Sequence, residues 1–144
     1  MTIEAITDGP YAGWQRWKGR HEKRFSDLIG HYYFRDVDGR VECRMDTGMQ
    51  HANGFGYLHG GFLMAFIDQV LFAVARPRLA FGGAVTMTCN TEFLGSAVPG
   101  KPLDGTGEIL RETGKMLFIR GLLTQDGGNV CGFSGTLRKV QPKA

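Results

Sequence analysis

The chain has 144 residues and 42% hydrophobic content, which suits one domain with one core, and its 22 glycines imply many tight turns and bulges. A formal net charge of +3 suits a small anionic ligand and falls short of the basic balance of a nucleic-acid-binding protein. The three cysteines, Cys43, Cys89 and Cys131, are odd in number and lack any C-x-x-C spacing, which argues against a disulfide framework or zinc ribbon and for a reducing cytoplasm.

Residues 1–10 are polar and end in Gly9-Pro10, the pattern of an arm without the apolar core of a signal peptide. Residues 11–27 are predicted as a short helix, with Trp14, Trp17 and Phe25 among Arg16, Lys18, Arg20, Lys23 and Arg24. That composition reads as an amphipathic lid with a solvated basic side, and its aromatics could border a pocket. Two strands are expected next, over 28–34 and 40–45, joined by a turn at Asp38-Gly39.

Residues 51–75 hold the longest apolar run and the densest glycine cluster. From Gly60 to Ala75 there is no proline, and apolar residues fill every face, which predicts a buried core helix. The run is too short and too charged, with Asp68 at its middle, for the roughly 18 uncharged residues of a membrane span. A buried carboxylate needs a reason. The helix start supplies one: unpaired N–H groups around Gly60 can stabilise an anion or a developing oxyanion, with Asp68 as base or nucleophile. Gly60 and Asp68 are eight residues apart, about 12 Å along a helix, so they cannot meet at one substrate atom within one chain. Two copies with these helices antiparallel would form two equivalent sites, which predicts a homodimer or a dimer of dimers.

Arg76-Pro77 stops the helix and Gly82-Gly83 resets the chain. Strict alternation over the following strand puts Val85, Met87, Cys89, Thr91 and Phe93 on one face, with Thr86, Thr88, Asn90 and Glu92 on the other. Strands over 102–111, 115–124 and 129–140 follow as a meander. The expected class is α+β: one long helix wrapped by an antiparallel sheet of five or six strands.

Asn53, five residues, His59-Gly60-Gly61 and an aspartate nine after the histidine resemble the motif of hotdog-fold acyl-CoA thioesterases of the phenylacetate-degradation and thioesterase-superfamily-member type. The resemblance implies a hotdog domain over 28–144 behind an N-terminal arm and helix over 1–27. It implies that Asn53 and the Gly60 amide polarise the thioester carbonyl, that Asp68 and Thr86 orient and activate water, and that His59 fixes the turn. Tyr57 and Gly61 would flank the carbonyl site, and Arg111, Lys115 and Arg138 would clamp coenzyme A phosphates. Coenzyme A would be part of the substrate and no separate cofactor is implied. The family has small residues after the aspartate, where this chain has Gln69, Val70, Leu71 and Phe72.

Two other readings belong to the same fold. One is a non-catalytic acyl-CoA-binding protein. The other is an enoyl-CoA hydratase, since Asp46 and His51 have the D-x4-H spacing of its Asp-His pair, without the Asn-Pro inside that motif. His51 and His59 lack further ligands at recognisable spacing, so no metal site is expected. No G-x-S-x-G elbow, GxGxxG turn or P-loop is present.

Overall fold

Two short strands pair where the sequence predicts an arm and a helix: β1 (Thr2–Ala5) and β2 (Gln15–Lys18) are antiparallel, with Ile3 opposite Trp17. The computed structural model describes residues 2–18, 23–79 and 82–141, so Arg20 of the expected helix lies outside the described residues. Gly9 and Gly13, both at positive φ, turn the chain back, and Trp14 is buried under the Arg35 guanidinium, 4.3 Å from its ring centroid. Helix α1 is only Phe25–Ile29, so the strand expected from residue 28 begins later, as β3 (Tyr33–Val37).

The remaining elements follow the predicted order: β4 (Arg40–Met45), α2 (Gly60–Ala75), β5 (Gly83–Phe93), β6 (Leu103–Glu112), β7 (Met116–Gln125) and β8 (Gly128–Val140). The strands form one antiparallel sheet in the order β1-β2-β3-β4-β6-β7-β8-β5. Among the described residues it has eight strands and not five or six, because β1 and β2 extend it at one end. The meander is limited to β6, β7 and β8, and β5 pairs outside β8 to form the opposite edge.

The sheet curls around α2, which is the hotdog architecture. Phe66, Ile67, Val70 and Leu71 are fully buried against Leu103, Leu117, Leu123 and Leu137. Glycines allow the close approach: a Cβ on Gly105 would lie 2.6 Å from Val70 Cγ2, and one on Gly135 would lie 2.5 Å from Leu71 Cδ1. Gly60–Arg78 is long and apolar enough to cross a membrane by length and composition, but the sheet packs on it as on a core helix.

All-round apolarity predicts complete burial of α2, and the structure corrects this. Gly61, Met64, Ala65, Asp68 and Gln69 form a stripe that the chain's own sheet leaves partly or wholly uncovered. The carboxylate of Asp68 is therefore half-buried and reachable.

Candidate active site

The approach to α2 is pinned rather than loose. Asn53 Oδ1 accepts from the Phe55 and Tyr57 N–H groups at 2.9 and 3.2 Å, and Asn53 N donates to Tyr57 O at 2.7 Å. This closes a turn over residues 53–57 with Gly56 at φ +86 and Tyr57 half-exposed. Because the oxygen of the Asn53 carboxamide holds the turn, its Nδ2 is the end left to donate outward; it has no partner among the described residues.

His59 is the N-cap of α2, its Nδ1 accepting from Gly61 N at 2.8 Å while its own N–H donates to His51 O at 2.8 Å. Gly61 is taken up by this cap, whereas the Gly60 N–H has no partner among the described residues. A Cβ at Gly60 would lie 3.4 Å from the Phe93 ring, so a small residue here keeps the helix start close to β5.

Asp68 and Thr86 are brought together: Thr86 Oγ1 donates to Asp68 Oδ1 at 2.6 Å. Strict alternation would have pointed Thr86 away from the helix. The register of β5 against β8 shifts between Thr86 and Thr88, so Thr86 stands opposite Leu137 while Thr88 stands opposite Thr136. Residues directly opposite share a face, and Leu137 is fully buried on the helix side. The bulge thus turns Thr86 inward with Cys89, Thr91 and Phe93, correcting the predicted face, and leaves Val85 and Met87 exposed. A hydroxyl donating to one carboxylate oxygen fixes the group and leaves the other oxygen free to accept.

Asp68 also lines a cavity of about 810 Å³ whose wall includes Trp17, Tyr32, Phe72, Arg76 and Ala84. Of the N-terminal aromatics, Trp17 borders it while Trp14 is buried elsewhere and Phe25 is exposed. Tyr32 was not singled out from sequence, because it looked like one more strand aromatic.

Arg111, Lys115 and Arg138 gather near one end of the sheet but not with Asp68. Arg111 stands opposite Phe118, and Arg138 opposite Met116 and Val85, on the face turned away from α2. All three are exposed and form no ion pair among the described residues. Arg138 follows Leu137, the partner of Thr86, so the cations lie across the sheet from the Asp68–Thr86 pair.

Asp46 and His51 do not form the hydratase pair. Asp46 accepts from the Tyr11 hydroxyl at 2.7 Å, and burial first, then that bond, push the phenol well above its usual range. His51 is buried, accepts from Gly48 N through Nδ1 at 3.0 Å, and meets Ile29 O through Nε2 at 2.5 Å. Both ring nitrogens are used in holding the loop. Among the described residues no group of three or more His, Cys, Asp or Glu side chains could hold a metal ion.

The family model of the thioesterase superfamily matches residues 55–132, more than half of the chain. The chain belongs to the thioesterase superfamily. Its fold is shared by a hypothetical thioesterase of Streptococcus pneumoniae solved with coenzyme A, at 22% identity and TM-score 0.69, over 78% of this chain and 91% of that one. The PaaI protein of the Escherichia coli phenylacetic acid degradation operon is similar at 21% identity and TM-score 0.67, over 76% of this chain and 80% of that one. A putative thioesterase of Ralstonia eutropha, described as phenylacetic acid degradation-related, is 27% identical with TM-score 0.64, over 73% of this chain and 82% of that one. No curated protein matches the sequence.

Proposed function

We propose that the protein is an acyl-CoA thioesterase in which Asp68, held by Thr86, drives attack on the thioester carbonyl while the Gly60 N–H and Asn53 Nδ2 receive the developing oxyanion. The observation that carries this is the 2.6 Å Thr86–Asp68 hydrogen bond on an accessible stripe of an otherwise buried helix. A carboxylate with one oxygen fixed by a hydroxyl and the other free can take a proton from water as general base, or attack the carbonyl carbon itself. Donors at the helix start stabilise the charge that appears on the carbonyl oxygen. The coenzyme A found in the Streptococcus relative supports the ligand class.

The eight-residue step from Gly60 to Asp68, about 12 Å of helix, calls for a second copy to complete the working site. The features that support one are the open stripe of α2 and the unpaired outer edge of β5, where Val85, Met87 and Phe93 are 47%, 54% and 56% exposed. A two-fold axis there would bury this apolar edge and face each Asp68 toward the other copy's Gly60 end. The same pairing is what would bring the exposed cations of one copy near a coenzyme bound to the other.

The test is thiol release from a panel of aryl, short and medium acyl-CoAs. Turnover of at least one supports the reading; tight binding without any release supports a non-catalytic acyl-CoA-binding role instead.

A further inference from the structure

Among the cavity-lining polar groups without a hydrogen-bond partner among the described residues, Tyr32 is the most deeply buried. Its side chain is only 8% exposed and its ring stacks on Phe66, with centroids 5.7 Å apart and planes 20° apart. The backbone leading into it is fixed. Gly30 ends α1 at φ +122, a conformation that favours glycine, and Ile29 O is held by His51. The hydroxyl has no partner among the described residues, yet it is not sealed off, since no buried side-chain oxygen or nitrogen is left unsatisfied. Tyr32 lines the cavity that Asp68 also lines, and the Asp68 charge acts on its phenol.

Burial first, and the Asp68 charge second, push the phenol above its usual range, so it remains an O–H donor at any working pH. A donor in a site walled by Trp17 and Phe72 is costly to leave unpaired and selects for a ligand that carries an acceptor. The charge of that acceptor is constrained as well. Each guanidinium at the cavity already has a carboxylate: Arg16 with Glu4, Arg24 with Asp27 and Arg76 with Asp36. Asp68 itself faces the same space. A neutral oxygen fits there better than a carboxylate.

Resting on the thioesterase reading, we propose that Tyr32 determines acyl specificity by donating its O–H to a neutral oxygen, a hydroxyl or oxo group, carried by the acyl chain beyond the thioester carbonyl. The test compares kcat/KM for acyl-CoAs of one carbon skeleton: the unsubstituted parent, hydroxy and oxo derivatives at successive positions, and one ending in a carboxylate. The wild-type protein should prefer at least one hydroxy or oxo member over its parent by about tenfold or more, and should not prefer the carboxylate. Tyr32→Phe keeps the stacked ring and should collapse that ratio to about one.

A wild-type protein with no such preference overturns the proposal. So does a Tyr32→Phe variant that keeps the ratio, or one whose rates fall equally on parent and derivative, which would make Tyr32 a positioning residue. Release of thiol from the parents upholds the thioesterase reading whichever way the ratio falls. A wild-type protein inert on every member contradicts that reading, and the proposal with it.

Discussion

Thr86 Oγ1 reaches Asp68 Oδ1 at 2.6 Å because a bulge in β5 turns one threonine out of the strand's alternation. The carboxylate that looked isolated in an apolar helix thus has a partner from the opposite edge of the sheet. If the hydroxyl orients Asp68, Thr86→Ser should retain most of the activity and Thr86→Val should lower kcat about tenfold or more. Steady-state kinetics on the best acyl-CoA would show it. Equal rates for Thr86→Val and wild type would make the bond structural only.

Asn53 has two ends with separate tasks, which a single substitution can divide. Asn53→Asp keeps an oxygen to accept from the Phe55 and Tyr57 N–H groups and removes the Nδ2 donor. The fold should survive, and kcat should fall on the order of a hundredfold, the typical loss for one oxyanion-hole donor. Asn53→Ala should add a loss of thermal stability, since the turn over 53–57 would lose its acceptor. Circular dichroism melting alongside kinetics separates the two effects.

A shared site can be tested by mixing two dead chains. Gly60→Pro removes the oxyanion N–H at a position where proline is accepted, and His59 already has φ −66 and ψ 136, the region a residue before proline prefers. Heterodimers of Gly60→Pro with Asp68→Asn should regain one working site. Light scattering should show a dimer or larger assembly throughout. Heterodimers that form without recovering activity would place Gly60 and Asp68 in the same chain's site.

Gly121 tests the tightness of the core independently of chemistry. A Cβ there would collide with Thr106 O and lie 2.5 Å from Phe133 Cζ. Gly121→Ala should destabilise the fold by about 1–3 kcal/mol, seen as a lower denaturant midpoint. An unchanged midpoint would show that the sheet yields more than its packing implies.

The cysteines should stay quiet in an assay that reads thiols. Burial pushes the Cys43 thiol up to about 12 and Cys131 up to about 11, so neither is a thiolate near neutral pH. Among the three, Cys89 alone is partly exposed, and it too is raised. A thiol reagent at pH 8 should label the native protein slowly, at Cys89 first, and all three sites only in denaturant. Rapid native labelling of Cys43 would mean that the β4 region opens readily.

The central helix and the strands that follow it were legible because their signals are local. An apolar run bounded by His59 and Pro77 starts and stops a helix, and alternation with Gly-containing turns marks β6 to β8. The Asn53 to Asp68 spacing was legible for the same reason. Two things were not. Trp14 and Trp17 among arginines have the composition of an amphipathic helix, and only the pairing of Gln15–Lys18 with β1, and of Gln15 with Phe34 of β3, makes a strand there, with Arg35 stacked over Trp14 beside it. Nor does alternation announce a bulge, so the inward turn of Thr86 and the cavity placement of Tyr32 emerge only once the sheet's register is known.

Most direct is thiol release by Asp68→Asn, a substitution that keeps the side chain's size and its ability to accept from Thr86 while removing the charge that either a base or a nucleophile needs. The expected result is a loss of on the order of a thousandfold or more in kcat, with binding of a non-hydrolysable acyl-CoA analogue and the assembly state unchanged. Hydrolysis by Asp68→Asn at the wild-type rate would contradict it.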